Sequence, residues 1–421
     1  MLRFLSTGES HGRALMAVLD GFPAGMELDV NLLNKELQAR QQGYGRGSRQ
    51  KIETDKANLL GGVRHGITTG APIAIMIENR DFENWQHVMS SLPVDMSDPA
   101  VKEQEEKKKI ERFRPGHADL AGAMKFRQDE IRDVLERASA RETAARVAAG
   151  SICQVFLEQL GIKILAHVIA VGPVQSELDS ESLSMRELEE RILASEMFCA
   201  DIEADEKMKS HIKQAWQDGD SVGGVVEVVA EGVPVGLGSY TQWDEKLDGQ
   251  IAQALMSIQA MKAVEIGDAV KAASMPGSQV HDALYPAQSD SELPFSRKTN
   301  HAGGIEGGMS NGARLRVRSY MKPIPTLRKG LPSLSFPGYE ADTAHYERSD
   351  VCAVPAASVV AKAMLSFVLA RAVLCKFGSD NFSEIKESLA RHRQWCKSQG
   401  KQNDKTNRTS PEAPELEMEM E

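Results

Sequence analysis

Aromatic residues and cysteines are scarce in this sequence. Phe, Trp and Tyr make up 5% of the 421 residues, so its basic segments lack the stacking surface of proteins that bind single-stranded nucleic acid. The five cysteines are odd in number and form no C-x-x-C pair, which excludes a closed disulfide framework and a zinc ribbon. We therefore predict a cytoplasmic protein with reduced thiols and no metal site.

Long apolar runs are also absent. No uncharged run reaches the ~18 apolar residues that a membrane span needs, and the first residues lack the apolar core of a secretory signal. Hydrophobic residues make up 41% of the chain and charged residues 26%, which is typical of a globular protein rather than a disordered or fibrous one. A chain of this length can bury a sizeable core, in one large domain or in several smaller ones.

Two segments contain no acidic residue. The formal net charge of -10 argues against a nucleic-acid or anionic-membrane partner. Half of that charge lies in residues 411–421, within a polar stretch from 397 to 421 that we predict to be a disordered tail. Residues 37–52 and 307–339, by contrast, hold ten basic side chains and no acid. We expect these two segments to bind a small anion.

The spacing of apolar residues predicts both helices and strands. Helices are predicted over Val30–Gln41, with Asp29 as the N-cap, and over 142–160, 247–264 and 358–376, the last ending at Gly378. Strands are predicted at 71–77, 162–171 and 222–230. Small residues on one face of 142–160 would let another helix or a sheet approach closely.

The first candidate motif is Gly8-Glu9-Ser10-His11-Gly12. It matches the G-x-S-x-G nucleophile elbow of serine hydrolases, but an elbow needs a sheet behind it and only seven residues precede this one. We interpret the motif as a glycine-flanked turn that presents Ser10 and His11. On this motif alone, an ordinary surface histidine is the commoner alternative.

Two further segments combine glycine with charged or proton-transferring side chains. Residues 40–49 form a glycine-rich loop with three arginines, which bind carboxylate and phosphate in a bidentate manner, although a solvated basic loop is the alternative. A Pro-Gly turn places His117 just before a helix, and imidazole gives or takes a proton near neutral pH. Arg137 and Arg141 follow about twenty residues later.

The remaining candidates lie in the C-terminal half. Residues 300–312 include five glycines, which would wrap a planar ligand by their backbone or form a plain surface loop. Three arginines in 314–318 recur at a period of two, the spacing of one strand face. The stiff stretch 322–326 follows. Asp350 precedes the last predicted helix and would be a candidate base if it lay beside a cofactor.

Taken together and in this order, these segments resemble the chorismate synthase family over about residues 1–378. The matching stretches are GESHGRALMAVLDGFPAG at 8–25, RQQGYGRGSRQKIETD at 40–55, RFRPGHADLAGAMKF at 112–126, RASARETAARVAAG at 137–150, HAGGIEGGMSNG at 301–312, MKPIPT at 321–326 and RSDVCAVPAASVVAKAM at 348–364. The resemblance implies an α+β fold, a layered sandwich of long core helices between two antiparallel sheets with pseudo-duplicated halves. It also implies a single catalytic domain over 1–396.

The resemblance further implies an activity. It implies a lyase of the shikimate pathway, which converts 5-enolpyruvylshikimate 3-phosphate into chorismate by an anti 1,4-elimination of phosphate and requires reduced FMN. It implies a homotetramer, with NADPH acting only indirectly as reductant through an external flavin reductase. An added NADPH-dependent flavin reductase activity is the enzymatic alternative, and a phosphometabolite-binding protein is the non-enzymatic one.

The family motifs also imply roles for single residues. His11 would protonate the leaving phosphate, His117 would fix the protonation of the reduced flavin, and Asp350 would help to take up the proton that passes through the flavin. The substrate anions would be bound by Ser10, Arg40, Arg46, Arg49, Arg137, Arg141 and Arg348. FMN would contact Arg137, Ala138, Ser139, Gln259, Ala260, Gly307, Lys322, Pro323, Ile324, Pro325, Thr326 and Arg348. Gln259 and Ala138 stand where family members more often carry Asn and Ser, so we expect their contacts with FMN to differ.

Overall fold

The structure, a computed structural model, describes residues 1–46, 54–287, 291, 293–347 and 349–399. Within these residues the α-helices are α1 (Val30–Gln41), α2 (Pro99–Lys108), α3 (Asp119–Phe126), α4 (Ile131–Ala138), α5 (Thr143–Gln159), α6 (Met185–Leu193), α7 (Ile202–Gln217), α8 (Leu247–Met256), α9 (Ala269–Ala272), α10 (Gly277–Val280), α11 (Val354–Phe377) and α12 (Phe382–Ser398). The strands are β1 (Arg3–Thr7), β2 (Ala14–Asp20), β3 (Ala24–Glu27), β4 (Asn58–Gly61), β5 (Val63–Arg64), β6 (Ile67–Thr69), β7 (Ile73–Glu78), β8 (Lys163–Val171), β9 (Val174–Gln175), β10 (Gly224–Glu231), β11 (Met261–Ile266), β12 (Leu284–Pro286), β13 (Phe295–Arg297), β14 (Ile305–Glu306), β15 (Met309–Ser310), β16 (Leu315–Met321), β17 (Pro332–Leu334) and β18 (Ala341–Thr343).

Two antiparallel sheets and two long helices form the body of the molecule. The first sheet has the strand order β1-β2-β7-β4, and the second has the order β11-β16-β10-β8-β9. Helix α5 packs against β2 and β7 of the first sheet, α11 packs against β8 and β10 of the second, and the two helices pack against each other. The predicted α+β sandwich, with long core helices between two antiparallel sheets, is confirmed.

Close contact between α5 and α11 depends on small residues. A Cβ on Gly150 of α5 would lie 2.4 Å from the carbonyl oxygen of Ala363 in α11, so only glycine permits this approach. Ala148 and Ile152 on α5 are fully buried. The prediction that the small-residue face of 142–160 lets another helix approach is therefore correct.

Helix α11 is the most deeply buried element of the core. Among the described residues it is the one helix that is long and apolar enough to cross a membrane, but 83% of its most apolar window is buried inside the protein. It ends at Gly378 as predicted and begins at Val354, slightly before the predicted start. Helix α1 has the predicted bounds, and the Asp29 side chain caps it by accepting a hydrogen bond from the backbone of Asn31 (2.9 Å).

Two predicted boundaries are wrong. The helix predicted over 247–264 is only α8, because the chain then turns through Ala260, whose φ of 68° is left-handed, and continues as β11. The predicted tail begins too early, because α12 continues to Ser398. Residues 400–421 lie outside the described part of the chain.

A buried carboxylate in the second sheet makes the stability depend on pH. Glu227 of β10 accepts hydrogen bonds from Arg318 Nε (2.8 Å) and Ser180 Oγ (2.6 Å), and it lies 3.2 Å from His167 Nε2. Burial opposes its ionisation, but these partners outweigh burial and lower the pKa of Glu227 to about 2. A lowered pKa stabilises the folded state above the ordinary carboxyl range, and this contribution is lost as the pH falls towards 2.

We therefore expect Glu227→Gln to reduce the acid sensitivity of the fold. The free energy of unfolding of the wild type should exceed that of the variant by roughly 3 kcal/mol at neutral pH, and the difference should shrink below about pH 4. Urea denaturation at a series of pH values measures this difference. A difference that stayed constant down to about pH 3 would contradict the expectation.

Candidate active site

One cavity brings together most of the candidate residues named from the sequence. It has a volume of about 430 Å³ and lies where the β1–β2 turn and the start of α5 meet the turn after α8, the segment after β16 and the start of α11. The candidate residues that line it are Ser10, His11, Arg40, Arg46, His117, Ala138, Ser139, Arg141, Gln259, Ala260, Lys322, Ile324, Pro325, Thr326 and Asp350. Arg49 and Arg348 lie outside the described residues.

The β1–β2 turn carries Ser10 and His11 to this cavity. Gly8 permits the turn, because its φ is +97° and a Cβ there would lie 2.2 Å from the carbonyl oxygen of Ala14. The segment is a strand-turn-strand, whereas a nucleophile elbow is a strand-turn-helix. The Ser10 hydroxyl also accepts a hydrogen bond from Ser139 Oγ (3.1 Å). This geometry excludes the elbow of a serine hydrolase.

His11 is buried and held by two neighbours. Its Nδ1 lies 2.8 Å from Oε1 of Glu136, and its backbone N–H donates to Oε2 of the same carboxylate (2.8 Å). Its ring stacks on Trp85, with centroids 4.0 Å apart. Burial opposes ionisation of Glu136, but His11 and Arg132 outweigh burial and hold the pKa of Glu136 below its ordinary value. Because Nδ1 is engaged with an ionised carboxylate, Nε2 is the ring nitrogen available for proton transfer.

His117 forms a second histidine–carboxylate pair. Its Nδ1 lies 2.5 Å from Oδ1 of Asp119, a fully buried residue. Arg114 donates to the same carboxylate from Nε (2.8 Å) and Nη2 (2.9 Å). Burial opposes ionisation of Asp119, but the hydrogen bonds from Arg114 and His117 hold its pKa well below the ordinary value. The cavity is thus lined by two imidazoles, each anchored through Nδ1 on a buried carboxylate.

Two buried arginines share one carboxylate beside the cavity. Arg40 Nη2 donates to Oδ2 of Asp55 (2.7 Å), and Arg141 Nη1 donates to Oδ1 (2.6 Å). Burial would raise the pKa of Asp55, but the two guanidinium groups outweigh burial and lower it. Burial lowers the pKa of Arg40 to about 10, so its guanidinium stays charged near neutral pH. Since two cations share one anion, the cluster has a net positive charge that attracts a further anion.

Among the described residues that line the cavity, cations outnumber anions. The charged residues that line it are Arg40, Arg46, Arg114, Arg141 and Lys322 on the basic side, and Glu347 and Asp350 on the acidic side. Arg46 Nη1 is paired with Oδ2 of Asp350 (2.9 Å). An excess of fixed cations in a partly enclosed site is suited to a ligand with several negative charges.

Part of the cavity wall is apolar. It is lined by Leu135, Ala138, Ile258, Ala353, Ala356, Ala357 and Val360. Beside this wall, Gln259 Nε2 donates to Glu142 (3.0 Å). The side-chain oxygen of Gln259, Oε1, is buried and has no hydrogen-bond partner among the described residues. The carbonyl of Ala260 accepts a hydrogen bond from the backbone of Lys322 (3.0 Å), which joins the two segments. An apolar wall next to a few oriented polar groups is typical of a site for a small molecule or cofactor.

Comparisons with known proteins identify the family. Residues 2–374 match the family model described as Chorismate synthase. A chorismate synthase of Geobacillus thermodenitrificans (strain NG80-2) is 50% identical over 397 residues, which cover 94% of this chain and 100% of the relative. The chain belongs to the chorismate synthase family.

Further relatives agree with this assignment. A chorismate synthase of Geobacter sulfurreducens is 50% identical over 392 residues, which cover 92% of this chain and 97% of the relative. A solved structure described as the crystal structure of chorismate synthase superposes with a TM-score of 0.75 at 39% identity, over 94% of this chain and 98% of that one. Chorismate synthases are lyases, so the predicted enzyme class is confirmed.

Three residues expected to contact ligands in this chorismate synthase family member lie outside the cavity lining. Arg137 is exposed, and its Nη groups donate to the backbone oxygens of Ser6 (2.8 Å) and Gly8 (3.1 Å), so it holds the end of β1. Gly307 lies in the β14–β15 hairpin, where an added Cβ would meet nothing within 4 Å. Pro323 is also outside the lining, although both of its neighbours belong to it.

Most basic residues of segment 307–339 do not reach the cavity. Arg314 pairs with Glu231 (2.6 Å), Arg316 with Asp268 (2.5 Å), Arg318 with Glu227 (2.8 Å) and Lys329 with Asp220 (2.5 Å). Of the basic residues in this segment, only Lys322 lines the cavity. The prediction that the whole acid-free segment binds an anion is therefore wrong, because distant parts of the chain supply its acids.

Sequence reasoning missed five residues that line the cavity or support its lining side chains. The missed residues are Asp55, Trp85, Arg114, Glu136 and Glu347. Asp55 and Arg114 lie inside the matching stretches 40–55 and 112–126, and Glu136 and Glu347 immediately precede two others. Position inside or immediately before a motif was thus the one available signal for these four, whereas Trp85 lies outside every motif.

Proposed function

We propose that this protein converts 5-enolpyruvylshikimate 3-phosphate into chorismate and phosphate, by an anti 1,4-elimination that requires reduced FMN, in the shikimate pathway. One observation carries the proposal: a single cavity is lined by Arg40 and Arg141, which share Asp55, and by two anchored histidines. Membership of the chorismate synthase family supports the same reaction.

The charges of the substrate fit this cavity. The substrate has two carboxylates and a phosphate, and each of these groups accepts bidentate hydrogen bonds from a guanidinium. Arg40 and Arg141 are held by Asp55, and Arg46 is held by Asp350, so their side chains are oriented before the ligand arrives. Fixed cations also stabilise the negative charge that develops on the phosphate as it leaves.

The donor set of the cavity also fits FMN. The apolar wall formed by Ala138 and the start of α11 would contact the ring, and the unpaired carbonyl oxygen of Gln259 would accept a hydrogen bond from a ring N–H. Lys322 and Thr326 would bind polar groups of the cofactor. Gln retains the amide of the Asn that is more usual here, and this amide is held by Glu142. When bound in its reduced form, FMN supplies electron density to the substrate as the C–O bond breaks.

His11 is positioned to assist the departure of phosphate. Its Nδ1 is fixed on Glu136, so its Nε2 would donate a proton to a phosphate oxygen as the C–O bond breaks and the phosphate takes the electron pair. The adjacent Ser10 hydroxyl, held by Ser139, would bind another substrate oxygen. The resulting imidazole is neutral and ready to be reprotonated.

The other two catalytic candidates lie on the same cavity. His117 would hold a proton beside the cofactor, with its tautomer set by Asp119. Asp350 would help to take up the proton lost from the substrate ring, while the electrons of that C–H bond form the new double bond. Asp350 is bound to Arg46, which would keep it oriented towards the ligand.

The proposal extends to the surroundings of the enzyme. We place the protein in the cytoplasm as a homotetramer, and we assign NADPH only the indirect role of supplying an external flavin reductase.

An anaerobic assay with the full chain, 5-enolpyruvylshikimate 3-phosphate and photoreduced FMN is expected to release one phosphate for each chorismate formed. The same assay with oxidised FMN and NADPH as sole reductant is expected to give no turnover.

Each arm of this assay has an outcome that decides between functions. If photoreduced FMN supports no phosphate release, the synthase proposal fails and a phosphometabolite-binding protein takes its place. If NADPH alone supports steady turnover, the enzyme reduces its own flavin and the bifunctional alternative is correct. Omission of FMN is the control, and it should abolish the turnover that photoreduced FMN supports.

A further inference from the structure

A series of side chains with alternating charges begins at the His11–Glu136 pair. Glu136, which binds His11, also accepts a hydrogen bond from Nη1 of Arg132 (3.0 Å). Nη2 of the same arginine lies 3.6 Å from Oε1 of Glu347. Glu136 and Arg132 are almost fully buried, so little solvent screens these contacts.

Glu347 stands at the cavity end of this series of alternating charges. It lines the cavity, and its Oε1 also lies 3.9 Å from Nε2 of His345. Burial opposes ionisation of Glu347, but His345, Arg132 and Arg114 outweigh burial and lower its pKa to about 2. The charges therefore alternate along His11, Glu136, Arg132 and Glu347.

The side chain of Glu347 is more exposed than those of the two carboxylates that bind the histidines. The side chains of Glu136 and Asp119 are 1% and 0% exposed, whereas that of Glu347 is 27% exposed and lines the cavity. A carboxylate in the wall of a site for anions repels the substrate, so ligand binding does not account for it. Its contact with Arg132 indicates a role in holding that side chain in place.

We infer that Glu347 is a positioning residue, which holds Arg132 so that the His11–Glu136 pair faces the bound substrate. This inference rests on the proposed function. Through Arg132, Glu347 fixes the carboxylate of Glu136, and that carboxylate fixes Nδ1 of His11. The imidazole then keeps its Nε2 available to the ligand, as proton transfer from an oriented donor requires.

The variants Glu347→Gln and Glu347→Asp test the inference in the phosphate-release assay. Glu347→Gln keeps the size of the side chain but loses the charge, and it is expected to lower kcat about 10-fold or more, while KM for the substrate changes less than about 3-fold. Glu347→Asp keeps the charge and should recover most of the loss. The matched control is Asp342→Asn, which breaks a surface pair with Arg112 (3.9 Å) and should leave both constants unchanged.

The opposite pattern would overturn the inference. If Glu347→Gln lowered KM and left kcat unchanged, the carboxylate would only repel substrate. A double-mutant cycle with Glu136→Gln adds a second test. If Glu347 acts through Arg132 on Glu136, the two substitutions should have non-additive effects on kcat, and additive effects would also overturn the inference.

The wild type in the same assay separates the two proposals. If it releases phosphate and Glu347→Gln does so at the same rate, the inference fails and the proposed function stands. If the wild type releases none, the proposed function fails. A crystal structure of Glu347→Gln tests the positioning itself without activity: the Arg132 side chain should move by about 1 Å or more, and an unmoved side chain would overturn the inference.

Discussion

Replacing His11 by alanine is expected to lower turnover by a factor of about 10²–10⁴, the usual loss when a general acid is removed. The imidazole is held by Glu136 and stacked on Trp85, so the substitution removes the oriented side chain proposed as proton donor. It removes none of the arginines proposed to bind the substrate, so KM should change much less than kcat. Steady-state kinetics with photoreduced FMN measure both constants. The same substitution at His117 should cause a loss of similar size.

The control for these variants is another histidine of the same chain. His392 lies on α12, where its Nε2 contacts the carbonyl oxygen of Val235 (3.0 Å), outside the cavity lining. His392→Ala should leave turnover within about twofold of the wild type, since surface substitutions have small effects. A near-normal rate for His11→Ala or for His117→Ala would remove that residue from the mechanism.

Replacing Asp55 by asparagine is expected to lower the free energy of unfolding by about 3–5 kcal/mol, the usual cost of removing one partner of a buried ion pair. The side chain of Asp55 is fully buried, and asparagine fills the same space without the charge. Arg40 and Arg141 would then be two buried cations without their shared counterion. Urea denaturation at neutral pH measures the loss.

Two further measurements connect this loss to the proposed anion site. Asp20→Asn breaks the exposed pair between Asp20 and Arg3 (2.9 Å) and should cost less than about 1 kcal/mol. Inorganic phosphate should raise the melting temperature of Asp55→Asn more than that of the wild type, because an anion in the cavity would replace the missing charge. If Asp55→Asn were as stable as the wild type, Arg40 and Arg141 would not need an anion between them.

Local signals in the sequence predicted the fold well where local chemistry decides it. Asp29 and Gly378 mark the ends of α1 and α11, because capping and glycine conformation act over a few residues. The prediction of one helix over 247–264 was wrong because α8 ends at Met256 and the chain then turns through Ala260, whose left-handed backbone conformation few residues other than glycine adopt. Nothing in the residue type at that position announces the turn.

The residues of the candidate site were partly predictable for the same reason. Family motifs located Ser10, His11 and Arg40, which lie together on the cavity. Their ionic partners were not predictable, because Glu136 is 125 residues from His11 and Asp55 is 86 residues from Arg141. Such pairs form only when the fold brings distant segments together.

The basic residues of the acid-free segments also have ionic partners that the sequence did not reveal. A run of basic residues without a nearby acid suggested free cations, but β16 packs beside β10, and Glu227 pairs with Arg318 across the two strands. Arg316 likewise pairs with Asp268, which lies beyond β11. Local charge composition therefore did not reveal which arginines remain available for a ligand.

A crystal structure with oxidised FMN and 5-enolpyruvylshikimate 3-phosphate tests the central claim most directly, since oxidised FMN does not support turnover in the proposed reaction. We expect both ligands in the cavity, with substrate anions within about 3.2 Å of Arg40 or Arg141 and a phosphate oxygen within the same distance of His11 Nε2. A second cavity of about 530 Å³ lies around Arg316 and His301. Substrate bound there, with Arg40 and His11 uncontacted, would contradict the account.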